Sequence, residues 1–165
     1  MDIFIVSLRL IHIVGGSFWV GAAILLAAFV EPAASAAGPA GGQYMQRLAG
    51  SKMGVAITIA AVLTVVCGFL LYWRLGYSLG SVPGVTLLVG GIVGLISLVY
   101  GGAITGPTTL ALGRVGAEIQ ASGKPPTPEQ AAQMQTLQGR LRMASRINAA
   151  LVTIAVITMA VARYL

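Results

Sequence analysis

Four residues near the start of the chain, Arg9, His12, Gly16 and Trp19, have the types and the spacing to do chemistry. Steps of three, four and three residues stack them on one side of a helix. His12 is the only histidine in the chain, and a neutral imidazole nitrogen is a common donor to haem iron and transition metals at physiological pH. Arg9, one turn toward the N-terminus, carries a planar fork that can pair with a carboxylate such as a haem propionate. Gly15 and Gly16 remove side-chain bulk beside the imidazole, so either another helix backbone or a flat ligand can come close there. Trp19 can stack on a macrocycle or pack between helices. Plainer roles exist for the two polar members: His12 as a neutral histidine bonded to a serine, threonine or backbone carbonyl between helices, and Arg9 as a cation that snorkels to the lipid headgroups.

The element that must position these residues is the stretch 3–30, long enough to cross a bilayer. A cation inside such a helix costs about 2.5 kcal/mol or more, so the Arg9/His12 face is expected to look into the protein. Composition agrees with a membrane setting. Of the 165 residues 57% are hydrophobic and only 8% charged, and the mean hydropathy is +0.90, far outside the range of soluble domains. No small-residue cleavage site follows a short apolar region near the start, so the first helix is expected to stay in the mature protein. Cys67 is the single cysteine, which excludes an intramolecular disulfide and a Cys-based metal site from one chain. The net charge of +6 would suggest nucleic acid in a soluble protein. Here the cations cluster at helix ends, so they read as topology signals and headgroup contacts, with no nucleic-acid partner.

Three further apolar spans follow, at about 53–73, 85–112 and 147–164, giving an all-α membrane protein with a single four-helix transmembrane bundle. Residues 31–42 read as a proline-terminated, flexible loop, and 43–52 as a helical run-up to the second span. The short turn at 75–84 makes the second and third spans antiparallel neighbours. Thr127, Pro128 and Gln130 supply an N-cap, a first-turn proline and a capping-box glutamine, so a helix starts at Pro128. From there Met134, Leu137, Leu141, Ala144, Asn148, Leu151 and Ala155 recur at steps of three and four without a break into the last span. Leu112, Val115 and Ile119 offer a matching stripe on the preceding side, so 113–146 is expected to form an antiparallel helical stalk that extends the third and fourth helices. Seven of the ten cations, Arg47, Lys52, Arg114, Lys124, Arg140, Arg142 and Arg146, lie on the side of that stalk. The positive-inside rule then puts the stalk in the cytoplasm and both termini outside.

Other residues of interest are the small-residue face Gly90, Gly94, Ser97 and Gly101, which suits either close helix contact or a flat ligand. Tyr100, Thr105, Thr58, Thr64, Asn148 and Thr153 can hydrogen-bond inside the bundle. No carboxylate pair occurs inside a span, which argues against a proton-relay pump, and Met53, Met143 and Met159 are too dispersed for a copper relay.

The stretch RLIHIVGGSFWVGAAILL resembles the first helix of the copper-resistance D (CopD) type of bacterial membrane protein, with its histidine followed by tryptophan seven residues on and then glycine. The ending RMASRINAALVTIAVITMAVARYL is similar to the same broad group. A basic residue three before the histidine, with an aromatic and a glycine after it, also resembles the HemJ-type protoporphyrinogen oxidases, small four-helix haem-associated membrane proteins. By this resemblance Arg9 matches the basic position, His12 the haem-linked histidine, and Trp19 and Gly21 the following pair. The Pro-Arg that HemJ-type proteins carry after the tryptophan, and their later histidine, are not present here. What both comparisons imply in common is haem b, with His12 as axial ligand and Arg9, Gly16 and Trp19 around it. The expectation is a bacterial inner-membrane protein for electron transfer or redox sensing, self-associating or working with a membrane redox partner. A haem-dependent oxidoreductase of the protoporphyrinogen oxidase-like type is the enzymatic version of that expectation. The alternatives are a cofactor-free accessory subunit of a membrane complex and a protein of copper or small-solute transport.

Overall fold

The computed structural model describes residues 2–49 and 51–165, and among these there is no strand. Seven α-helices occur along them: α1 (Ile3–Leu25), α2 (Glu31–Ala36), α3 (Gly38–Ala49), α4 (Met53–Arg74), α5 (Val82–Tyr100), α6 (Gly106–Ser122) and α7 (Pro128–Val161), the last followed by a 3-10 turn at Ala162–Tyr164. Short π-helical turns, Leu26–Val30 and Gly101–Thr105, join α1 to α2 and α5 to α6 without breaking the rod. Four runs, Ile3–Ala36, Met53–Arg74, Val82–Ser122 and Pro128–Tyr164, are long and apolar enough to cross a membrane. α1 packs on α4, α4 on α5, α5 on α7, and α7 back on α1, which closes the bundle. Large apolar side chains such as Phe4, Ile11, Phe18, Ile92 and Ile96 stay exposed on its outside, as the hydrocarbon face of a membrane protein requires.

Local chemistry sets the helix starts. The Asp2 carboxylate accepts the Phe4 N–H at 3.0 Å, and Ser81 accepts the Gly84 N–H at 3.2 Å. At Thr127 the full capping box forms: its hydroxyl accepts from Gln130 N–H at 3.3 Å while Gln130 Oε1 accepts from Thr127 N–H at 3.0 Å. From that cap α7 runs 34 residues unbroken, in line with the sequence periodicity.

The segment 31–42 departs from the expected loop. Pro32 and Pro107 each lie two residues beyond a π turn, and the carbonyls each ring crowds, four residues earlier, belong to Ala28 and Ala103 within those turns. The wider turn absorbs the clash, so the helix continues past the proline. Alanines 33, 34 and 36 then sustain α2, and the chain reverses at Gly38 with φ of +60°. The run-up to the second span is likewise helical but begins earlier, at Gly38, and Gly50 lies outside the described residues. α6 reaches Ser122 in spite of Gly113 and Gly116. A β-carbon on Gly116 would lie 2.5 Å from Gln46 Cδ, so this glycine is where α3 docks on α6. At this end of the bundle α3 therefore packs on α6, and α6 on α7, so three helices meet there rather than two.

Candidate functional site

His12 sits half-buried on α1 and faces α4. Its Nδ1–H donates to the backbone carbonyl of Thr64 at 2.7 Å. A carbonyl only accepts, so Nδ1 carries the proton in this contact and the lone pair resides on Nε2. Three glycines, one on α4 and two on α1, make the approach possible. A β-carbon on Gly68 would lie 2.7 Å from His12 Cε1 and 2.9 Å from Nδ1. One on Gly15 would lie 2.8 Å from Thr64 Oγ1 and 3.3 Å from the Ala60 carbonyl, and one on Gly16 would meet Thr64 Cγ2 at 3.3 Å. Each helix thus omits side chains where the other presents a polar one. The Thr64 hydroxyl is satisfied within α4, donating to the Ala60 carbonyl at 2.7 Å.

The other three residues singled out from the sequence go to different places. Gly16 lies against Thr64, in the α1–α4 contact. Trp19 is buried in a cluster with Ala61 of α4 and Val152 of α7. Arg9 is exposed, contrary to the expected inward face, and forms no ion pair among the described residues, where the single one is Arg74 to Asp2 at 3.6 Å. Helical geometry accounts for the spread: at about 100° per residue the four positions cover roughly 80° of arc, with Arg9 at one edge and Trp19 at the other. The arc is wide enough for one edge to touch α7 while the other reaches the surface.

Deeper in the bundle the sequence reading missed a cavity of about 450 Å³. Trp19, Ala61 and Leu98 supply apolar wall, Glu31, Thr105 and Ser145 polar wall, and Asn148, bonded to Ser97 next to Leu98, a polar group between them. His12 does not line it. Leu26 from the first π turn and Gly101, Gly102 and Thr105 from the second do, so both helix irregularities open onto the same space. Glu31 Oε2 and Thr105 Oγ1 are buried without a hydrogen-bond partner among the described residues. Ser145 stands beside the Glu31 carboxyl, with the positive charge of Arg142 and Arg146 nearby. Arg142 uses its guanidinium elsewhere, donating to Ser35 Oγ at 3.0 Å. Asn148 is partly committed as well, accepting from the fully buried Ser97 hydroxyl at 2.7 Å. The signal that pointed here was the pair of Glu-Pro and Gly-Pro steps directly after long apolar runs. A second, wider cavity of about 810 Å³ among α2, α3, α6 and α7 shares Glu31, Met45 and Leu141 with the first.

The small-residue face of α5 divides between two uses. A β-carbon on Gly90 would lie 2.8 Å from Met159 Cγ and 3.3 Å from the Ala155 carbonyl, so Gly90 serves the α5–α7 contact. Gly94 has nothing within 4 Å of that position. Among the described residues no group of three His, Cys, Asp or Glu side chains is placed to hold a metal ion. Compared with protein-family models, curated proteins and solved structures, the chain matches none.

Proposed function

We propose that this membrane protein binds haem b through His12 Nε2 and serves electron transfer or redox sensing in a bacterial plasma membrane. The observation that carries the proposal is the 2.7 Å contact from Nδ1–H to the Thr64 carbonyl. A ring nitrogen tied to a backbone carbonyl fixes the tautomer, orients the ring and raises the basicity of the opposite nitrogen, the usual support for a metal-bound imidazole. The structural role of His12 and its role as a ligand therefore use different nitrogens and are compatible. A lone imidazole also favours haem over a bare ion: zinc or copper needs three or four protein ligands, whereas a porphyrin brings four nitrogens of its own. When bound, haem supplies one-electron chemistry. Arg9, one turn outward and exposed, would supply the cation for a propionate. The first-helix resemblance to CopD-type and HemJ-type proteins supports the same reading. Because the His12 ring is only half-buried and the chain has no second histidine, a second copy of the chain or another membrane protein is the proposed source of cover for the site.

Two measurements test this. Protein purified in mild detergent from haem-replete cells is expected to show a Soret band that shifts on reduction, and its absence at full protein yield would refute the haem proposal. The proposed orientation places the helical extension in the cytoplasm and both termini outside, following the seven cations on that side. In a Cys67→Ala background, a Gln138→Cys variant is expected to resist an impermeant thiol reagent added to intact cells, and labelling from outside would reverse the orientation.

A further inference from the structure

We infer that the 450 Å³ cavity is a binding site for a neutral, hydroxyl-bearing lipophile, such as an alkylphenol or a long-chain alcohol, that enters from the membrane. The inference is independent of haem, since His12 does not line this space. Its volume lies in the range of small-molecule pockets. Val55, Ile59 and Leu110 line it and are also exposed, so one mouth opens sideways between α4 and the α5/α6 rod, where apolar side chains would face lipid. The apolar wall, at Trp19 and Leu98, suits a hydrocarbon tail. Away from these, two oxygen atoms, Glu31 Oε2 and Thr105 Oγ1, are buried with no partner among the described residues. Such groups carry an energetic penalty of about 1–3 kcal/mol each unless something bonds to them. A ligand hydroxyl has the chemistry for both, donating to the carboxyl oxygen and accepting from the threonine.

Charge selects the same class. A fatty-acid carboxylate would meet the Glu31 carboxyl, and a lipophilic cation would gain little from it, because Arg142 and Arg146 already offset its charge from outside the cavity lining. A neutral donor avoids the repulsion and still bonds the carboxyl oxygen. The two π turns add a reason of a different kind. π-bulges gather at functional sites because they turn backbone and side chains away from the regular ladder, and here both of them wall one cavity.

Trp19 provides the readout, because Trp73, the one other tryptophan, is 83% exposed and can be replaced by phenylalanine. The probes are an alkylphenol brominated in its alkyl chain and the matching bromoalkylbenzene that lacks the hydroxyl, both titrated per mole of detergent into the Trp73→Phe protein below pH 8. The bromoalkylphenol is expected to quench Trp19 saturably and to bind roughly tenfold more tightly than its hydroxyl-free counterpart. That preference is expected to fall to near unity in Glu31→Leu and to shrink in Thr105→Val. Gly54→Leu, which adds a side chain at the cavity wall where nothing lies within 4 Å, is expected to weaken both probes. Equal, non-saturating quenching by the two probes in the parent protein would overturn the inference without recourse to any variant. A hydroxyl preference that survives both Glu31→Leu and Thr105→Val would also overturn it.

Discussion

Replacing Gly15 by leucine is expected to destabilise the bundle by more than about 3 kcal/mol, whereas the same change at Gly21 on the same helix is expected to stay within about 1 kcal/mol. At Gly15 the first added carbon already lies 2.8 Å from Thr64 Oγ1 and 3.3 Å from the Ala60 carbonyl. The hydroxyl can rotate only by giving up its bond to that same carbonyl, and the carbonyl belongs to a helical backbone that cannot yield. The remaining leucine atoms would force α1 and α4 apart. Gly21 has nothing within 4 Å of its β-position, so leucine there adds helix propensity and lipid contact at little steric cost. Thermal unfolding in detergent, followed by retention of the monodisperse peak on size exclusion, distinguishes the two. A wild-type midpoint for Gly15→Leu would mean that the α1–α4 contact is not the close one described here.

The size of that effect follows from the solvent. Between helices in lipid there is no hydrophobic drive to association, because hydrocarbon tails are as apolar as leucine. Close van der Waals contact and buried hydrogen bonds must hold the bundle, and both need backbones to approach. Gly15, Gly16 and Gly68 allow the Thr64 and His12 contacts, and Gly90 allows Met159 to pack on α5. The glycines that look like a weakness by helix propensity are therefore where the bundle's specificity lies.

This accounts for what could be read from the chain and what could not. The four spans and the start of α7 were legible, because apolar length and a capping box are local properties. The same holds for the helical course from Pro128 into the last span. The segment 31–42 was misread as a loop, because a proline after an apolar run ordinarily stops a helix, and the relief offered by a π turn depends on what packs around it. Gly116 weakens a helix by propensity, and nothing local shows that Gln46 occupies the space it leaves. At the candidate site, the sequence offered two uses for the glycines beside His12, and the structure fills that space with α4. Arg9 was expected to face inward because helical spacing groups it with His12, but about 80° of arc is enough to bring it to the surface. The cavity at Glu31 had no sequence signature beyond two proline steps, since its walls come from elements far apart in the chain.

The His12→Ala variant is expected to lose the Soret band entirely while keeping the fold. The two halves of this expectation rest on separate features. Haem loss follows because the chain holds no other imidazole, and a methionine or tyrosine substitute would change the spectrum rather than preserve it. Retention of the fold follows because the Thr64 carbonyl keeps its helical partner, the Gly68 N–H of α4, when the imidazole is removed. No buried group is then left unpaired, and the cost is the net value of one hydrogen bond with some packing, about 1–2 kcal/mol. A companion change separates ligand from scaffold. Gly68→Ala places a methyl group 2.7–2.9 Å from the imidazole, so the ring must swing off the Thr64 carbonyl, and Nε2 loses its orientation though it remains present. That variant is expected to retain haem weakly and with a shifted reduction potential, while Gly54→Ala, where nothing lies within 4 Å, behaves as wild type. A folded His12→Ala protein with an unchanged Soret band would remove His12 from the iron. Unaltered haem content and potential in Gly68→Ala would mean that the Thr64 bond does not set the ring for ligation.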